Sequence, residues 1–170
     1  FFAHKPKPLV PSEAKKYFLQ MLRAVKELHS LGFAHLDLCL ENFLLQKEDS
    51  SLCLGDYGLA KFLDSKIQTP YHGRKSHIAP ELKKINSLLR ISPAQDVYSL
   101  GTLMYLLFTD RLLYENLDDL WYLTYRRTLC LDAAFPAILV ELLHKMLKED
   151  PTKRPPLEEV CLILENWKPT

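Results

Sequence analysis

Nowhere in the 170-residue sequence do apolar residues run for the roughly 20 positions that a membrane-spanning helix needs. The longest runs, Leu103–Phe108 and, counting Pro136, Ala133–Val140, are far shorter, so no membrane partner is expected. Phe1 and Phe2 give way at once to His4, Lys5 and Lys7, which is not the pattern of a secretory leader. The missing initiator Met suggests a fragment or an incomplete gene sequence. Charge of one sign is lacking too. The net charge is +1 with 25% charged residues, which gives no electrostatic case for nucleic acid or an anionic surface as the main partner. The four cysteines, Cys39, Cys53, Cys130 and Cys161, form no C-x-x-C pair, and the six histidines do not cluster with them at zinc spacing. They read as reduced thiols of an intracellular protein, cytoplasmic or nuclear.

What is present is enough for one domain. The composition is 48% hydrophobic, and a chain of this length buries roughly 70% of the surface its unfolded form exposes. Lys5–Pro11 carries three prolines and reads as extended. Ser12 then reads as a helix N-cap, followed by Tyr17, Phe18, Met21, Leu22, Val25, Leu28 and Leu31 at helical spacing and by a stop at Gly32. Phe43–Leu45 and Leu52–Leu54 flank a polar turn at Lys47–Ser51, a hairpin pattern. That hairpin brings Asp37 and Asn42, before it, and Asp56, just after it, towards one edge. Ala60–Ala79 has no sustained period and reads as a long surface loop, with Ser65, Thr69 and Tyr71 as solvated loop residues. From Pro93 onward the pattern is helical. Val97–Phe108 is apolar nearly all round, and Asp118–Arg127, Ala137–Leu147 and Leu157–Trp167 are further helices.

His35-Leu36-Asp37-Leu38-Cys39-Leu40-Glu41-Asn42 resembles the protein kinase catalytic loop H-R-D-L-x-x-x-N. Asp56-Tyr57-Gly58 resembles D-F-G, and Ala79-Pro80-Glu81 matches A-P-E. Asp96–Gly101 and the stretch from Asp150-Pro151 to Arg154-Pro155 resemble two later segments of the family. Any one match is weak, but five in the right order are strong. The resemblance implies an α+β fold: the C-terminal (large) lobe of a protein kinase over residues 1–170, mainly helical with a small catalytic-loop β-hairpin. It implies transfer of the ATP γ-phosphate to a protein hydroxyl, of the Ser/Thr type by Glu41-Asn42. Asp37 would be the catalytic base, Asn42 and Asp56 would hold Mg2+, and Leu44 would lie under the adenine of ATP. It also implies that Glu81 pairs with Arg154, and that Asp96 accepts hydrogen bonds from the backbone around His35.

The departures from the pattern are as informative. None of the five glycines forms a G-x-G-x-x-G loop, and there is no V-A-I-K strand. The expectation is therefore a large lobe with the small lobe and hinge absent, and negligible activity for the isolated chain. Cys39 stands where the Ser/Thr class puts a Lys beside the transferred phosphate. Leu36 replaces the Arg that would receive an activation-loop phosphate. Arg74 and Lys75 add positive charge near the expected substrate groove. The rival reading is a pseudokinase or one-lobe scaffold that binds proteins. On either reading, the absent lobe would leave a face at Leu44, Leu45 and Leu54 bare, and the isolated chain is expected to associate there with a regulatory protein or with a second copy of itself.

Overall fold

The computed structural model describes residues 9–46, 49–70, 76–84, 87–113 and 135–169. The helix expected at Asp118–Arg127, together with Tyr71, Arg74, Lys75 and Cys130, lies outside them.

Helix α1 spans Pro11–Ser30 and buries Tyr17, Phe18, Met21, Leu22 and Val25, most of the face expected from their spacing, while Leu28 is half-buried and Leu31, past the last turn, is exposed. Its start differs from the sequence reading. Val10, in extended backbone, precedes a first turn led by Pro11, and no side chain caps it. Proline has no N–H to leave unpaired in a first turn, and its φ is already helical, so the helix begins one residue before the expected cap at Ser12. At the other end the Leu31 amide reaches the carbonyls of Glu27 and Leu28, and Gly32 turns the chain at φ 87°.

Helix α2, Ala94–Thr109, is the axis of the molecule, with every residue buried except Ala94 and Leu106. The expected helix from Ala137 becomes a 3-10 turn at Ala137–Leu139 followed by α3, Val140–Met146. Helix α4, Leu157–Asn166, packs on α1, where Arg23 meets Glu165 at 3.1 Å, Lys26 meets Glu158 at 3.2 Å, and Lys15 donates to the Trp167 carbonyl. One apolar cluster joins the four helices of the described residues, with Phe18, Met21, Leu22, Leu100, Leu143 and Val160 among its members.

Three two-stranded antiparallel ribbons complete the described fold. β2, Phe43–Leu45, pairs with β3, Leu52–Leu54, with Phe43 opposite Leu54, as the hairpin pattern required. β1, Phe33–Ala34, pairs with β4, Lys61–Phe62, and β5, Lys66–Gln68, pairs with β6, Leu88–Arg90. The last two ribbons correct the reading of Ala60–Ala79 as an unpaired loop. Strands of two or three residues are too short to show alternation, and their partners are distant in sequence. Thr69 is a further correction: it is buried, and its hydroxyl donates to the Ser87 carbonyl at 2.8 Å. A second, smaller apolar cluster holds Ala34, Leu36, Ile78, Ala79, Leu82, Ile91 and Tyr98, with Leu63, Ile67 and Leu89 against it. Among the described residues no helix is long and apolar enough to cross a membrane.

Candidate functional site

The loop between β1 and β2 hangs from one carboxylate. Asp96, in the first turn of α2, is fully buried. It accepts the His35 amide at 2.8 Å and the Leu36 amide at 2.9 Å, and His29 Nε2 lies 2.8 Å from its Oδ2. A buried carboxylate without such partners would carry a large desolvation cost. The two backbone bonds hold Leu36 at φ 66°, a left-handed geometry that costs a non-glycine residue about 1–2 kcal/mol. Sequence reasoning missed His29; its only signal was a histidine in the last turn of a helix that runs straight into the loop.

His35 is fully buried and fixes the next step of the chain. Its Nδ1 accepts the Asp37 amide at 3.3 Å, so the ring proton sits on Nε2, which donates to the Gly55 carbonyl at 3.0 Å. The Tyr57 ring lies over it at 5.5 Å between centroids. Asn42, at the end of a 3-10 turn from Leu40, donates Nδ2 to the Asp37 carbonyl at 2.9 Å. Its own carbonyl accepts the Gly55 amide at 2.8 Å. Asp37, Asn42 and the end of β3 that leads into Asp56 are thus closed into one hydrogen-bonded unit.

Asp56 is exposed at φ 56°, and a β-carbon on Gly58 would lie 3.4 Å from its Oδ1. The Tyr57 hydroxyl, which needs a partner, donates to the Leu54 carbonyl at 2.7 Å. Leu44 is 59% exposed, and a β-carbon on Gly55 would meet its Cδ1 at 3.6 Å, so it opens at the same edge. The expectation of a bare face formed by Leu44, Leu45 and Leu54 needs correction. Leu45 and Leu54 are half-buried because they pack against the main cluster, which leaves Leu44 as the open member of the three. Cys39 is fully buried.

The donor chemistry suits a hard divalent cation. With Nδ2 of Asn42 committed to Asp37, the amide oxygen is the atom left to coordinate, and Asp56 adds an exposed carboxylate. Among the described residues no three His, Cys, Asp or Glu side chains converge as a metal-holding group. Two oxygen donors of this kind match a cation that takes its remaining ligands from phosphates and water, as Mg2+ does.

Below this edge, Glu81 and Arg154 form a buried bidentate pair, with both Nη–Oε distances 2.7 Å. Gln95 donates to Glu81 Oε1 at 3.1 Å, and Arg154 also donates to the carbonyls of Ala94 and Lys148, both at 2.8 Å. The pair ties Pro80–Lys83, a 3-10 turn, to the helical base.

The family model for the protein kinase domain matches residues 2–163. The chain is 32% identical to human testis-specific serine/threonine-protein kinase 3 over 168 residues, covering 95% of this chain and 59% of that protein. It is 31% identical to the mitosis inducer protein kinase cdr1 of Schizosaccharomyces pombe, over 94% of this chain and 27% of that protein. Against the maternal embryonic leucine zipper kinase of Xenopus tropicalis it is 36% identical, over 86% of this chain and 23% of that protein. The chain therefore spans 59% of the length of the first of these relatives and 27% and 23% of the other two.

Proposed function

This chain belongs to the protein kinase family, and from that premise we propose that it is the large lobe of a Ser/Thr-type kinase, with its catalytic edge built by Asp37, Asn42 and Asp56. The observation that carries the proposal is the closed unit made by the Asn42–Asp37, Asn42–Gly55 and His35–Gly55 hydrogen bonds. In this reading Asn42 and Asp56 hold Mg2+ beside the phosphates of ATP, and Leu44 lies under the adenine. The cation would supply neutralisation of phosphate charge. The Asp37 carboxylate orients a protein substrate hydroxyl and accepts its proton. The His35 hydrogen bonds keep the loop in register with Asp56, so the protein's own part is positioning.

The 170 residues contain neither a G-x-G-x-x-G loop nor a V-A-I-K lysine, so this stretch alone is expected to transfer no phosphate. The test is a phosphate-transfer assay on the whole protein and on this chain. Asp37→Asn should cut transfer by the whole protein about 100- to 10,000-fold with its melting temperature unchanged. Full activity in that variant, or robust transfer by the short chain, would defeat the assignment.

Two observations favour a second reading, a protein-binding scaffold. Leu36 and Cys39 occupy the positions where the resemblance implies cations, and both are buried. A ligand at 100 times its Kd stabilises a fold by about 2.7 kcal/mol. A thermal shift of the whole protein in Mg-ATP therefore separates the readings, and no shift favours the scaffold.

A further inference from the structure

From Asp64 to Thr69 the chain is laced to Ser87–Ile91. Lys66, Ile67 and Gln68 stand opposite Arg90, Leu89 and Leu88. Beyond the strands, the Asp64 amide donates to the Ile91 carbonyl and the Ile91 amide to the Ser65 carbonyl, both at 2.8 Å. Asp64 and Ser65 thus face the single residue Ile91, a bulge, with Asp64 at φ 66°. At the other end the Thr69 amide donates to the Ser87 carbonyl at 2.9 Å, and the Thr69 hydroxyl accepts the Ser87 amide at 3.2 Å. An exposed ion pair, Arg90 to Asp64 at 3.0 Å, crosses the ribbon.

The inner face of this ribbon is apolar and has one destination. Ile91 is fully buried, and Ile67 and Leu89 pack against the cluster that contains Leu36, Ile78, Ala79 and Leu82. Leu36 adjoins Asp37, is hung from Asp96, and is 3% exposed. One apolar cluster therefore touches the catalytic-loop residue, the ribbon, and the turn that leads to Glu81.

We propose that Leu36 is a positioning residue: with Ile67, Leu89 and Ile91 it forms an apolar clasp that holds Asp64–Thr69 in place with no phosphate on the segment. The proposal rests on reading the site as a kinase edge. A leucine has no affinity for an anion, so ordering through this position works by exclusion of water. The ladder pairs the backbone of Asp64, Ser65 and Thr69 with Ile91 and Ser87, and the Thr69 hydroxyl, 2% exposed and bonded to Ser87, is not offered to a modifying enzyme.

The test is amide hydrogen exchange on this chain, shown by mass to be unphosphorylated, without nucleotide. The amides of Asp64, Thr69 and Ile91 should be protected. Leu36→Ala should speed exchange at all three together by about 10-fold or more, while amides in the middle of α1 and α2 keep their rates, and Leu36→Met should restore protection. Thr69→Val, remote from the catalytic loop, provides a second route: it removes the acceptor of the Ser87 amide and should speed exchange there. In the whole protein Leu36→Ala should raise KM for a protein substrate more than it lowers kcat, and phosphatase treatment of wild type should change neither constant. Unprotected amides in the phosphate-free chain, or Leu36→Ala exchange equal to wild type, would overturn the clasp. The exchange arm needs no activity, so it stands or falls apart from the kinase reading, which the Asp37→Asn assay tests.

Discussion

Arg154 holds Glu81 through two parallel hydrogen bonds of 2.7 Å, inside a pocket where the two side chains are 0% and 4% exposed. The guanidinium also lies over the Tyr98 ring, 5.0 Å from its centroid, and spends its other donors on the carbonyls of Ala94, Lys148 and Glu149. Three separate stretches of chain therefore converge on one planar group: the turn carrying Glu81, the start of α2, and the residues just after α3.

Removing the arginine leaves Glu81 buried and uncompensated. Arg154→Ala should destabilise the fold by about 3–5 kcal/mol, measured by urea unfolding. Arg154→Lys should recover little of that loss, because an ammonium cannot reproduce the planar fork, the ring stacking and the carbonyl bonds together. Near-wild-type stability in the lysine variant would show that charge alone suffices.

Asp96 is the second buried carboxylate with several partners. Asp96→Asn keeps the shape but replaces one acceptor oxygen by a donor, which must then face the His35 amide and His29 or the Leu36 amide. The expected loss is about 1–3 kcal/mol for each orphaned donor, read as a fall in Tm. His29→Ala should cost less, because both backbone bonds to Asp96 survive. The two changes should be non-additive in a double-mutant cycle.

Gly101 is a matter of space. A methyl group there would sit 3.1 Å from Met146 Cβ and 3.2 Å from Leu147 Cδ2. Gly101→Ala should therefore cost about 1–3 kcal/mol through overpacking, despite the better helix propensity of alanine. A stabilised Gly101→Ala variant would mean that α3 moves away freely.

Asp150 gives a pH dependence of defined sign. Hydrogen bonds from the Thr152 side chain, and then from its backbone, hold the Asp150 carboxyl below its ordinary value of 3.8, with Lys153 and Arg154 adding smaller attractions. A depressed folded-state pKa stabilises the fold above 3.8, and the contribution is lost as pH falls below that value. Thr152→Ala removes the leading cause. Its acid unfolding between about pH 5 and pH 2 should be shallower than that of wild type, with the two curves converging at the acid end.

How much of this could be read from residue order follows from the physics of each element. Helix α1 was legible because Tyr17 through Val25 repeat at its own period, and α2 because Val97–Phe108 is apolar nearly all round. The β2–β3 hairpin was legible because its strands are neighbours in sequence. Asp37, Asn42 and Asp56 stood out only because their motifs resemble a family pattern, and the structure ties Asn42 to the Asp37 carbonyl. The β1–β4 and β5–β6 ribbons were not legible, since each joins a two- or three-residue strand to a distant one. Nothing local marks such a pairing. Thr69 was misjudged for the same reason, as its hydroxyl meets the Ser87 carbonyl across the ribbon. His29 was missed because a helix-terminal histidine reveals nothing until α2 places Asp96 beside it.

The three ribbons have a consequence for how the molecule comes apart. None is wider than two strands, and ribbons of that width are marginal without something to lean on. The helices, by contrast, share one continuous oily interior. The β2–β3 ribbon leans on that interior through Phe43 and Leu52, whereas β5–β6 leans on the smaller cluster, so mild denaturant should loosen β5–β6 first while the helical block still reads as folded by circular dichroism. In that halfway form Asp64–Thr69 would hang free while Phe43 and Leu52 stayed seated among the helices.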